Sequence, residues 1–83
     1  MYILGDIGNS ETKVYLVNPK NKIIKNINFP SKIINNKILE QKFKYLIKDF
    51  RSIKKVLFCS VVPQSFYLIK KFLSKKLKKK CYE

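Results

Sequence analysis

Two apolar runs flanking a short polar insert open the chain, and they confine its first 16 residues to a β-hairpin. Ile3-Leu4 leads into Gly5-Asp6-Ile7-Gly8-Asn9-Ser10-Glu11-Thr12, and Lys13-Val14-Tyr15-Leu16 follows. The first run reads as a short buried strand over Tyr2 to Gly5. The second, Lys13 to Val17, alternates Val14 and Leu16 with Lys13 and Tyr15, as a strand with one wet face does. Between them, Gly8 is able to take φ > 0 and let a ligand approach the backbone. Asn9 and Ser10 suit a turn and leave amide N–H groups free. An anion would find donors there.

Asp6 needs a separate reason, because a bare carboxylate beside a polyphosphate repels it unless a positive charge lies between them. Magnesium supplies that charge, and it binds through one or two carboxylates with waters and phosphate oxygens, so one aspartate is chemically sufficient. Ser10 and Thr12 have hydroxyls for phosphate oxygens. Lys13 adds a point charge if strand alternation does not aim it at solvent. The competing reading is an ordinary hairpin whose turn happens to contain Asp, Gly and Asn, and the local chemistry alone does not separate the two.

A second segment adds weight to the first. Asp6-Ile7-Gly8-Asn9-Ser10 closely resembles the first phosphate motif of the type III pantothenate kinases, a family of the acetate kinase, sugar kinase and actin superfamily. Asp-Xaa-Gly-Asn-Thr is usual there, so Ser10 is a departure that keeps the hydroxyl. About fifty residues on, Phe58-Cys59-Ser60-Val61-Val62-Pro63 is similar to the Ser-Ser-Val-Val-Pro segment of the same family, with Cys59 in place of the first serine. The two segments stand in the family's order and at roughly its spacing. Residues 18 to 54 carry no matching motif.

The resemblance implies an α/β fold, the incomplete first domain of a ribonuclease H-like, actin-like ATPase. In that fold strands 1 to 3 are antiparallel, a helix follows, strand 4 runs parallel to strand 1, and a second helix comes next. It implies ATP, Mg2+ and a monovalent cation (K+) as cofactors. The implied reaction is phosphorylation of pantothenate, the first step of coenzyme A biosynthesis, by a cytoplasmic homodimer. Carried onto this sequence, the ATP-binding segment is Asp6, Ile7, Gly8, Asn9, Ser10, Glu11, Thr12 and Lys13, with Asp6 also on the metal. Glu11 is unusual in a phosphate loop, and its carboxylate opposes ATP if it turns toward the ligand.

Local patterns give the same element order independently. Asn18-Pro19-Lys20-Asn21 reads as a turn, and Lys22 to Phe29 as a third strand ended by Pro30, with Ile23, Ile24, Ile27 and Phe29 partly alternating. Asn35 or Asn36 is placed to cap a helix from Lys37 to Phe50, whose Leu39, Phe43, Leu46, Ile47 and Phe50 form one apolar stripe. Val56 to Val62 is a continuous apolar run that reads as a strand buried on both faces, and Cys59 within it as a small buried residue. Pro63 suits the first turn of a second helix, where Phe66, Ile69, Phe72, Leu73 and Leu77 make its apolar stripe.

Composition narrows the remaining classes. A chain of 83 residues makes at most one small domain, and one this short buries only about 60 to 65% of its unfolded surface. No run approaches the roughly 20 apolar residues of a membrane span, and no signal-peptide pattern precedes the first strand. Cys59 and Cys81 are too few and too loosely spaced for a metal site, and the chain contains no histidine.

The net charge of +14 raises nucleic acid as a partner, yet only Arg51 among the basic residues is an arginine, and bidentate readout of phosphates and bases favours the guanidinium fork. Lysine, isoleucine and asparagine abundant together are what an AT-rich coding sequence produces. The Lys75-Lys76-Leu77-Lys78-Lys79-Lys80 run reads as a solvated helix end, where lysines complement the helix dipole. A small basic nucleic-acid-binding module, or a non-catalytic nucleotide-binding relative, stands as the alternative to a kinase.

The family's catalytic base lies in a Gly-Xaa-Asp-Arg motif, which does not occur in residues 1 to 83. Asp49 precedes Phe50-Arg51 but lacks the glycine and falls on the first helix. The expectation is therefore the N-terminal portion of a kinase, without its second domain and inactive alone, with one sheet edge open to association.

Overall fold

The structure, a computed structural model, describes residues 1–47 and 52–77. Four strands and two helices follow the expected order. They are β1 (Tyr2–Ile7), β2 (Glu11–Val17), β3 (Ile23–Pro30), α1 (Asn36–Leu46), β4 (Lys55–Ser60) and α2 (Pro63–Leu77), with a 3-10 turn at Ser31–Ile33 between β3 and α1. The sheet order is β3-β2-β1-β4. The first three strands are antiparallel, and β4 runs parallel to β1 with Tyr2 opposite Lys55 and Ile7 opposite Ser60.

One face of the sheet carries the core. Ile3 and Ile7 of β1, Val14 and Leu16 of β2, Ile27 and Phe29 of β3, and Val56 and Phe58 of β4 are buried there. Leu39, Phe43 and Leu46 of α1 and Ile69, Phe72 and Leu73 of α2 cover them. Phe43 and Phe72 bring the helices together with ring centroids 5.6 Å apart, while Phe66 of α2 meets Phe58 of β4 at 6.0 Å. The period-2 alternation of β2 and the three-and-four spacing of both helices follow directly from this one-sided burial.

Local capping chemistry fixes the element ends. Asn35 Oδ1 accepts from the Ile38 N–H at 3.0 Å, which makes Asn35 the N-cap of α1. Asn18 Oδ1 accepts from the N–H groups of Lys20 and Lys22 and so closes the β2–β3 turn. Asn21 there takes φ 65, a left-handed conformation that asparagine tolerates better than most residues.

Several expectations are corrected. β1 continues to Ile7 and β2 begins at Glu11, so the loop between them is shorter than the polar insert. The predicted helix to Phe50 stops at Leu46, because Ile47 leaves for extended backbone and buries its side chain in the core; positions 48–50 lie outside the described residues. β4 is Lys55–Ser60 and is buried on one face only, with Leu57 43% exposed. Cys59, on that open face, is exposed and not the small buried residue its surroundings suggested. Both helices pack on the opposite side, so apolar character in β4 does not report two-sided burial. Ile23 and Ile24 are likewise exposed at the outer end of β3. No described glycine has a positive φ, Gly8 included. Lys78 to Lys80 and Cys81 lie outside the described residues.

Candidate phosphate-binding site

The parallel pairing of β1 and β4 carries the two sequence motifs to the same end of the sheet. Asp6 stands beside Cys59 and Ile7 beside Ser60, and the ladder continues one step further through the Val61 N–H to the Ile7 carbonyl at 3.1 Å. In open α/β sheets ligands gather outside the carboxyl ends of parallel strands. Both motifs sit there, about fifty residues apart in sequence and adjacent in space.

At the tip, Asn9 and Ser10 join the two strands, and both are exposed. The Gly8 N–H donates to the Glu11 carbonyl at 3.0 Å. A Cβ on Gly8 would come within 3.2 Å of that same oxygen, so the close approach accounts for glycine where a positive φ does not. Among the described residues none accepts a hydrogen bond from the N–H of Asn9 or Ser10.

Strand alternation sorts the remaining side chains between two faces. Asp6 and Lys13 are cross-strand partners on the open face and both are exposed. Glu11, two residues before Lys13, shares that face and is also exposed. Ile7 and Thr12 are paired on the covered face and fully buried. Ile7 therefore serves the segment as core packing and through its backbone. Thr12 Oγ1 lies 2.8 Å from Ser31 Oγ, beneath the loop and away from its outer surface.

Ser31 was not singled out by sequence reasoning. Its hydroxyl donates to the Gly8 carbonyl at 2.7 Å, and its N–H donates to the Ser10 carbonyl at 3.1 Å. Its only sequence signal is a polar residue directly after Pro30. The second motif contributes backbone shape: Ser60 Oγ accepts from the Val62 N–H at 3.0 Å and turns the chain into α2, which Pro63 opens. A cavity of about 290 Å³ lies between these parts, lined by Asn9, Ser31, Lys32, Gln64 and Ser65 among others.

The groups present fit a hydrated magnesium polyphosphate: the exposed Asp6 carboxylate, loop amides at Asn9 and Ser10, the Ser10 hydroxyl and Lys13 opposite Asp6, with the Glu11 carboxylate on the same face working against the anion. No cluster of three or more potential metal-ligating side chains occurs among the described residues, and magnesium bound largely through water and phosphate does not need one. No described helix is long and apolar enough to cross a membrane.

No protein-family profile matches the chain. Over 83 residues it is 49% identical to a type III pantothenate kinase of Pelagibacter ubique (strain HTCC1062), a match covering the whole chain and 34% of that protein. Along its full length the chain resembles the N-terminal part of a type III pantothenate kinase. It spans about a third of that relative's length. The similarity therefore extends through residues 18 to 54, which carry neither motif, and the mixed α/β sheet with β1 parallel to β4 is compatible with the N-terminal part of an actin-like ATPase.

Proposed function

We propose that this chain supplies the ATP-phosphate-binding hairpin of a type III pantothenate kinase, within the first ribonuclease H-like domain of that enzyme. The observation that carries the reading is the juxtaposition of Asp6–Ser10 with Ser60–Pro63 at the carboxyl ends of β1 and β4. The 49% identity to the Pelagibacter kinase across 83 residues supports it. Asp6 would hold magnesium through its exposed carboxylate, while Gly8, Asn9 and Ser10 would take phosphate oxygens through backbone and hydroxyl donors. Lys13 adds positive charge beside them. Thr12 supports the loop from below.

The bound metal would neutralise charge on the phosphates and orient them; positioning and charge neutralisation carry most of the catalysis in phosphoryl transfer. Pantothenate as acceptor, K+ as monovalent cofactor, a homodimeric state and a cytoplasmic location belong to the same proposal and attach to no residue of this chain. The Gly-Xaa-Asp-Arg motif of the base is absent from residues 1 to 83, and Asp49 lies outside the described residues. We accordingly infer that pantothenate-dependent turnover needs further polypeptide.

An Asp6→Asn exchange tests the metal assignment. Calorimetric titration with ATP is expected to show binding that strengthens with magnesium in the parent chain and loses that magnesium dependence in the variant. Equal magnesium dependence in both would remove Asp6 from the metal.

A further inference from the structure

We propose that Ser31 is a positioning residue for the phosphate hairpin, fixing the loop from beneath and aiming the Asn9 N–H outward. This rests on the phosphate reading above, and it assigns a role to a residue that neither motif contains. Ser31 is buried and makes two hydrogen bonds to the loop, one through its hydroxyl to Gly8 and one through its N–H to Ser10.

The direction of the protons follows from counting them. A serine hydroxyl has one proton, and at 2.7 Å it goes to the Gly8 carbonyl, which has none to give. Thr12 must then be the donor in the 2.8 Å contact between the two hydroxyls. The chain runs Thr12 to Ser31 to Gly8, with each bond polarising the next toward the loop. Thr12, with no exposed surface, has its hydroxyl satisfied by Ser31.

Peptide planarity turns the inward Gly8 bond into outward aim. Carbonyl and N–H point in opposite directions across a trans peptide, and no described peptide bond is cis. Anchoring the Gly8 carbonyl on Ser31 directs the Asn9 N–H away from the core. The Ser31 N–H holds the Ser10 carbonyl as well, so the loop is fixed at both of its ends. The residue that follows β3, 23 positions from Gly8 in sequence, thereby sets the orientation of the Asn9 donor at the tip. Ser65 in the first turn of α2 reaches back to the Ser31 carbonyl at 3.5 Å, so the same serine also touches the element that follows the second motif.

The test uses the 83-residue chain and the variants Ser31→Ala and Ser31→Thr. Amide exchange by NMR reads the loop without ligand, and calorimetry with magnesium ATP reads its function. In Ser31→Ala the Gly8 amide is expected to exchange about tenfold faster, with Val14 in the adjacent strand unchanged, and ATP affinity to fall about tenfold, the equivalent of one net hydrogen bond. Ser31→Thr restores both. Unchanged Gly8 exchange in a folded Ser31→Ala chain overturns the proposal, as does a loosened loop with parental ATP affinity. If Ser31→Ala does not fold, Ser31→Cys keeps the volume with a weak donor and must show the same two losses. A parental chain that binds no ATP, with Gly8 freed in the variant, would sink the phosphate reading while leaving the hold of Ser31 on the loop.

Discussion

The Phe58 ring lies directly over Gly5, so that a methyl group on Gly5 would overlap the ring atoms of its parallel-strand partner. Phe58 is fully buried in the core, and the glycine makes room for it within a strand that otherwise presents Ile3 and Ile7 on that face. A glycine inside a strand often marks such an approach.

Gly5→Ala is therefore expected to destabilise the chain by about 1–3 kcal/mol through overpacking. Urea denaturation followed by circular dichroism measures it. Pairing Gly5→Ala with Phe58→Leu should cost less than the sum of the two single changes, because the smaller side chain vacates the space the methyl needs.

Adjacent residues of β4 should respond in opposite ways. Phe58→Ala removes a fully buried ring and is expected to cost about 3–5 kcal/mol, enough to unfold a domain of this size. Leu57→Ala, on the open face, should change stability by about 0.5 kcal/mol or less. Denaturant midpoints of the two variants check it, and equal losses would show the strand to be covered on both sides.

Asn35 caps α1 through the Ile38 N–H. Replacing it by alanine leaves that donor without its side-chain partner, and the expected loss is about 1 kcal/mol. Asn35→Ser should recover most of it, since serine caps as well as asparagine does. Thermal unfolding of the two variants measures the difference.

Glu11 shares the exposed face with Asp6 and Lys13. A carboxylate there repels phosphate across solvent, so Glu11→Gln should tighten magnesium ATP binding several-fold, and more at low salt than at high salt. Calorimetry at two ionic strengths reads both effects. Weaker binding in the variant would instead make Glu11 part of the metal site.

How much of this was legible in the sequence depends on how local each cause is. The order of elements along the chain, both helices and an asparagine cap at Asn35 or Asn36 follow from spacing and capping chemistry within a few residues, whereas the parallel place of β4 beside β1 came from the family resemblance. The hairpin itself was legible because Asp6 to Lys13 are contiguous in sequence and flanked by apolar runs. β4 misled the reading because Val56, Leu57 and Phe58 are all apolar, and only the placement of both helices on one side shows which face is open. Cys59 was misread for the same reason. Gly5 and Ser31 could not be read at all: one is shaped by a partner more than fifty positions away, the other by Gly8 and Thr12 across two strands.

The basic character of the chain is spread over its elements. Exposed lysines occur on β2 at Lys13, in turns at Lys20, Lys22 and Lys32, on α1 at Lys42 and Lys44, and on α2 at Lys70, Lys71, Lys75 and Lys76. Lys76 is partly neutralised by Glu40 at 2.9 Å. A charge distribution of this kind attracts anions generally and selects no site, so only location distinguishes specific phosphate binding from it. Backbone NMR shifts during a titration of the isotope-labelled chain with magnesium ATP supply that location. The account predicts saturable shifts in the amides of Asp6 to Lys13 and Ser60 to Ser65, with α1 unmoved; shifts confined to the lysine face of α2, or none that saturate at the hairpin, would contradict it.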